Sequence, residues 1–111
     1  SMGEPDRAAA IFEQVLAVRP DDALTEFALG KSYFDAGRHE NAMEHFDRAL
    51  ELEPALEEAR FARAVTLLRL GERARGVFEL DLYLREFPDG AWAGQAREEL
   101  RRLAQERETG Q

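Results

Sequence analysis

The sequence predicts an all-α protein of stacked helix pairs, and three observations predict it. Gly3, Gly37 and Gly71 recur at intervals of 34 residues. Pro20, Pro54 and Pro88 recur at the same interval in a different phase. Between these breakers the apolar residues fall at helical offsets, which puts them on one face of each segment. Two independent series sharing one period mark a repeat protein, in which each unit buries its apolar face against its neighbours.

The central unit, 23–56, reads ALTEFALGKSYFDAGRHENAMEHFDRALELEPAL. Its Leu29-Gly30, Tyr33, Ala42, Phe46, Ala49 and Pro54 stand at the spacing of a tetratricopeptide repeat, which the stretch resembles. Glu26 stands where that family has an early Trp. The following unit, 57–90, matches through Ala64, Leu67, Gly71, Gly76, Leu80, Tyr83 and Pro88. It departs at Arg60 and Arg63, where large apolar residues are usual. With the half unit before Ala23 and the helix after Gly90, the resemblance covers nearly the whole chain. It implies a right-handed superhelical array of antiparallel helix pairs, about six helices in all. The family shares an architecture rather than a chemistry.

Taken in order, residues 4–18 carry Ala8, Ile11, Phe12, Val15 and Leu16 on one wide apolar face, with Pro5 suited to a first helical turn. By the 34-residue ruler, 4–20 is the second helix of a truncated repeat, and the chain is expected to have been trimmed from a longer array. Some of Ala9, Ile11, Leu16 and their neighbours are therefore expected to be uncovered and to favour contact with another copy. Ser1-Met2 reads as an expression scar, which puts the natural N-terminus and any signal peptide outside the chain. Asp21 or Asp22 is expected to cap a helix over 22–36, and Gly37 to close it in the left-handed region. Further helices are expected over 38–52, 56–70 and 72–86, with the Gly71 turn between the last two. A capping helix over 91–107, with Trp92, Ala96, Leu100 and Leu103 inside and charge outside, completes a single domain. Residues 108–111 read as a frayed end.

Composition narrows the function. The 15 basic and 23 acidic residues give a net charge of −8, against the basic stripe that sequence-independent nucleic-acid binding requires. Anionic membranes are disfavoured for the same reason, and no apolar run approaches the roughly 18 residues of a spanning helix. The absence of cysteine excludes disulfide and thiol chemistry. The run Tyr83 to Gly90 and the Ala-rich helix after it look like stretches of bacterial envelope repeat proteins. That likeness leaves cytoplasm and bacterial periplasm both open.

Catalysis finds little footing. His39 and His45 are six residues apart, roughly 240° around a helix, whereas a helical zinc motif needs two His four apart. Both are expected to be solvated, and no metal or other cofactor is implied. Glu40 and Glu44 share a helix face but belong to the charged exterior of a chain that is 34% charged. The glycines fit turn and repeat positions rather than a phosphate loop. The expectation is that the protein is not an enzyme.

Surface remains. The resemblance implies that the first helix of each repeat lines a concave groove, with Leu24, Phe27, Lys31, Phe34 and Asp35 from one unit. Glu58, Phe61, Val65, Leu68 and Arg69 come from the next. Of the residues of the family's carboxylate clamp only Lys31 has a matching charge, so that clamp is expected to be absent. The expected partner is a protein or peptide segment held in the groove. The alternatives are a structural, self-associating scaffold of a larger assembly and a regulatory repeat region of a larger protein. Glu26 and Arg60, equivalent in successive units, are expected to meet as a partly exposed ion pair.

Overall fold

In a computed structural model the described residues are 3–108, and their regular structure is helical throughout. The helices are α1 (Glu4–Val18), α2 (Ala23–Asp35), α3 (His39–Leu52), α4 (Glu57–Arg69), α5 (Arg73–Glu86) and α6 (Ala93–Glu108). Ser1-Met2 and residues 109–111 of the expected frayed end lie outside the described residues, while Glu108 still belongs to α6. No helix among the described residues is long and apolar enough to cross a membrane. The six helices form a right-handed superhelical array of antiparallel pairs, α2 with α3 and α4 with α5, in a slab of 48 × 33 × 19 Å.

Turn chemistry sets the helix ends. Asp22 accepts the Thr25 N–H at 3.2 Å, satisfying a donor that has no partner inside α2. At the other end Gly37 takes φ +79°, and Arg38 N–H reaches back to the Tyr33 carbonyl at 2.9 Å. The next unit repeats the device, with Gly71 at φ +83° and Glu72 N–H on the Leu67 carbonyl. Positive φ costs glycine little, which fixes these two positions. Pro5 lies in the first turn of α1, as its missing N–H allows.

Small residues bring the helices of each pair together. A Cβ added to Gly30 would lie 2.6 Å from the Phe46 ring, so the ring of α3 rests directly on the backbone of α2. Around that contact Phe27, Ala42, Phe46, Ala49, Leu50 and Ala59 form the first buried cluster. Gly76 on α5 receives Leu68 of α4 in the same way and borders the second cluster, of Ala64, Leu80, Tyr83, Ala93 and Ala96. The buried hydroxyls of Ser32 and Thr66, one period apart, donate to the carbonyls of Ala28 and Ala62. Each is thereby satisfied within its own helix.

α1 lies against α2 through Ala9, which is buried within the chain, and Leu16 is half-buried. The expected uncovered part of the α1 face is Ile11 with its neighbours Val15 and Val18, while Ala9 is covered. At the other end α6 begins at Ala93, so Trp92 sits in the turn before it rather than inside the helix.

Candidate functional site

Two layers organise the surface. α2, α4 and α6 are tied to one another by side chains on one side: Lys31 Nζ lies 3.6 Å from Glu58 Oε2, and Arg69 Nη1 lies 3.9 Å from Glu99 Oε1. On the opposite side Arg63 of α4 reaches Glu79 of α5 at 2.8 Å and Asp47 of α3 at 3.3 Å. These two ion pairs link α2 to α4 and α4 to α6 along one side of the array.

Leu24 is 66% exposed at the start of α2. Phe27 is 7% exposed and packs on Phe46 with ring centroids 5.6 Å apart, so its ring serves the core. Lys31 is exposed and stands over that ring, 5.8 Å from its centroid, a cation–π distance. Phe61 and Val65 are half-buried, and Phe61 packs on Tyr83 at 5.8 Å and on Trp92 at 6.4 Å. Phe34 and Leu68, equivalent in the two units, turn to their own second helices. Phe34 meets the His39 ring edge at 4.8 Å, and Leu68 fills the space at Gly76. Asp35 and Arg69 are exposed. Along the first helices Leu24, Lys31 and Arg69 are exposed, Glu58, Phe61 and Val65 are half-buried, and Phe27 is buried.

Trp92 is half-buried in the turn before α6 and packs on Phe61 and against the second cluster, on the apolar inner side expected of the cap. Its position depends on a node that no local pattern reveals. The Tyr83 hydroxyl donates to Glu57 Oε2 at 2.7 Å, the Ala91 N–H donates to the same oxygen at 2.8 Å, and the Trp92 N–H donates to the Tyr83 hydroxyl at 3.1 Å. Gly90 is required beside it, because a Cβ there would run into the Glu57 carboxylate and the Tyr83 hydroxyl. Burial, then the hydrogen bond to Glu57, pushes the Tyr83 phenol up to about 12. Tyr33 is also raised, by burial first and then by the charge of Glu13, whose carboxylate accepts its hydroxyl at 3.2 Å.

Two expectations about polar residues are corrected. Glu26 does not pair with Arg60: it is buried, with Oε1 3.2 Å from His45 Nδ1 on its own unit's second helix. Arg60 instead bonds Glu86 at 3.1 Å and the Pro54 carbonyl at 3.0 Å. The reason is rotational: position 26 faces α3, and only residues turned toward the next pair can make unit-to-unit contacts. His45, expected to be solvated, is buried between Glu26 and the Tyr33 ring, with which it stacks at 5.4 Å. His39 is half-buried against Phe34. The two imidazoles face different neighbours.

Comparison with known proteins agrees with the helix pairs. Two tetratricopeptide repeat models match, one over residues 1–57 and one over residues 33–98. The peroxisomal targeting signal receptor of Eremothecium gossypii is 36% identical over 66 residues, 60% of this chain but 12% of the receptor. The match thus spans about an eighth of that relative's length. A TPR repeat-containing protein of Pseudomonas aeruginosa is 50% identical over 42 residues, 38% of this chain and 40% of that protein. Among solved structures, the type III secretion translocator chaperone SycD of Yersinia enterocolitica matches with a TM-score of 0.86. It does so over 96% of this chain and 76% of its own, at 17% identity, a likeness of fold. With repeat models matching more than half of its residues, the chain belongs to the tetratricopeptide repeat family and is a protein-interaction module.

Proposed function

We propose that the chain binds, without catalysis, a segment of another protein along the face of α2, α4 and α6. The carrying observation is the exposed Leu24 with the half-buried Phe61 and Val65 on the first helices and Trp92 packed beside Phe61, together with the exposed cations Lys31 and Arg69. Phe27, Phe34 and Leu68 support it as the packed floor and sides. Half-buried aromatic rings offer a ligand contact area that is already ordered, so little entropy is lost on binding. Lys31 and Arg69 set the polarity: their acidic partners stand at 3.6 and 3.9 Å, distances at which an incoming carboxylate competes for the cation. The net charge of −8 supports a protein ligand over a nucleic acid and disfavours a strongly acidic one. The similarity to a receptor named for a targeting signal supports a short segment as the ligand.

Two or three partly buried apolar anchors, less the entropic cost of association, correspond to a Kd in the micromolar range. Peptides selected from a displayed random library on the native chain test the reading. Their binding is expected to fall at least tenfold in Val65→Asp and to be unchanged in Phe78→Asp, a substitution on the exposed side of α5. Peptides sensitive to Phe78 and indifferent to Val65 would move the site to the other face.

A further inference from the structure

The junction between the second repeat and α6 carries a polar node that the junction between the two repeats lacks. α4 begins without a side-chain cap, and its first residue, Glu57, turns its carboxylate toward the next unit instead. There Oε2 accepts the Tyr83 hydroxyl at 2.7 Å and the Ala91 N–H at 2.8 Å. One period earlier Ala23 stands in place of Glu57 and Ala49 in place of Tyr83, so neither polar side chain has a counterpart. α3 and α4 nevertheless pack closely there, with Ala49 and Ala59 fully buried. Docking a helix on the preceding pair therefore does not require the node. What distinguishes the last junction is its longer turn, 87–92 against 53–56, and the Trp92 that ends it. The Trp92 N–H donates to the Tyr83 hydroxyl at 3.1 Å, and its ring lies on Phe61 with the planes 19° apart.

From this node we infer that Glu57 is a positioning residue of the binding face: it holds the 87–92 turn on Tyr83 and so keeps Trp92 stacked on Phe61 before a ligand arrives. The inference rests on the reading that a protein segment lies along the first helices. Tyr83 is the relay, buried and unable to move, giving its proton to Glu57 and accepting from Trp92. Both bonds to Glu57 fall on one oxygen, so the position demands an acceptor rather than a charge, and a carboxamide oxygen can take the same two bonds. Without that acceptor the Tyr83 hydroxyl loses its partner and the exposed Ala91 N–H turns to water. α6 itself stays docked through the buried Ala93 and Ala96, and Arg97 still holds the Pro88 carbonyl at 2.6 Å. The change is therefore confined to the turn, where Trp92 divides its time between Phe61 and solvent. A ligand that needs both rings then binds only the stacked fraction, and its affinity falls in proportion.

Trp92 is the one tryptophan of the chain, so its fluorescence reports on the turn directly. In Glu57→Ala the emission is expected to shift to the red and acrylamide quenching to quicken, with helix content by circular dichroism unchanged. Glu57→Gln should keep the native emission and quenching. Gly90→Ala, which drives a Cβ into the Glu57 carboxylate and the Tyr83 hydroxyl, should reproduce the Glu57→Ala signature with the carboxylate still in place. Peptides selected on the native chain should bind Glu57→Ala about tenfold more weakly and Glu57→Gln almost as well as the native chain. An unmoved Trp92 in Glu57→Ala or Gly90→Ala overturns the inference. So does loss of helix in Glu57→Ala, which would make Glu57 a residue of the fold. An equal red shift in Glu57→Gln overturns it too, because the charge would then be what matters. If peptide binding is native in Glu57→Ala yet falls in Val65→Asp, the face stands and the positioning role fails. Indifference to both substitutions overturns the face, and the role of Glu57 with it.

Discussion

The two complete repeats, 23–56 and 57–90, reach the same helix pair by opposite assignments of the same roles. In the first, the glycine lies on the first helix and the large side chain on the second, Gly30 under Phe46. In the second, the glycine has moved to the second helix, and Gly76 receives Leu68 from the first. The polar link moves as well. Glu26 and His45 form it inside the first pair, while in the second it joins Arg63 to Glu79 and extends to Asp47 of the preceding repeat. Close approach of the backbones is the invariant, and the residue supplying it is exchangeable. The link between Glu26 and His45 stays within its own pair, whereas the link through Arg63 also ties the second pair to the one before it.

The largest difference is expected when the two polar links are cut. Glu26→Ala leaves His45 buried without its partner and should cost about 2–4 kcal/mol. Arg63→Ala removes a guanidinium that is only partly covered and should cost about 1 kcal/mol. Urea unfolding of both variants gives the comparison directly. Equal losses would mean that burial does not distinguish the two links.

Alkaline pH should act on the second repeat alone at one position, because Tyr83 stands where the first repeat has Ala49. The folded chain holds the phenolic proton up to about 12, against an ordinary value of 10. Between pH 10 and 12 the unfolded chain has therefore lost a proton that the folded chain keeps, and stability falls as pH rises. The contribution is complete below pH 10 and amounts to about 2–3 kcal/mol, lost by pH 12. Tyr33, raised in the same direction, adds to the decline. In Tyr83→Phe the slope of stability against pH over this window should become shallower, though the variant is less stable at neutral pH. An unchanged slope would assign the decline to other groups.

How much of this was readable in the sequence follows from how local each cause is. Gly37, Gly71, Asp22 and Pro5 act within a turn of their own position, so residue type and spacing sufficed for the six helices and most of their ends, while α6 starts two residues later than expected. Side-chain partners were less legible. Equivalence by 34 residues suggested that Glu26 meets Arg60, but the rotation of α2 points position 26 at α3. The same rotation sends Phe27 into the core while leaving Leu24, three residues earlier, exposed. The surface of α2, α4 and α6 could thus be placed by helix, but its depth could not. The Glu57–Tyr83–Ala91 node joins residues 26 and 34 positions apart across three elements, and no periodic signal marks it.

The exchanged glycines give the third test. Alanine is favoured over glycine within a helix by about 1 kcal/mol, so only a clash turns Gly→Ala into a loss. At Gly30 the obstacle is the buried Phe46 ring at 2.6 Å, with the Ala42 carbonyl at 3.2 Å, and neither can swing away. Gly30→Ala should cost about 1–2 kcal/mol, and Ala42→Leu, which overfills the same contact, about 1–3. At Gly76 a Cβ would lie 2.5 Å from Leu68 Cδ2, 2.7 Å from its Cγ and 3.3 Å from its backbone N, and a half-buried aliphatic side chain yields more readily than a buried ring. Gly76→Ala should cost less, about 0.5–1 kcal/mol. Thermal denaturation separates the two, and an equal loss at both sites would show that Leu68 is as fixed as Phe46.

The smallest effect concerns the helix starts. Asp22 caps α2, and Leu56, one period later, opens α4 with no side-chain cap. Removing the cap with Asp22→Ala should cost about 1 kcal/mol, because the Thr25 N–H loses its acceptor. Installing one with Leu56→Asp supplies an acceptor to the first turn of α4 and gains a similar amount. Leu56, however, is half-buried and packs against the first core cluster, so the substitution also returns apolar surface to water. At about 25 cal/mol per Å², part of one Leu side chain offsets a gain of about 1 kcal/mol. The net change is expected to lie within about 0.5 kcal/mol of zero. A clear gain would mean that Leu56 contributes little to joining the two repeats. A loss beyond about 1.5 kcal/mol would mean that the second repeat gave up a cap in exchange for a contact that matters more to the array.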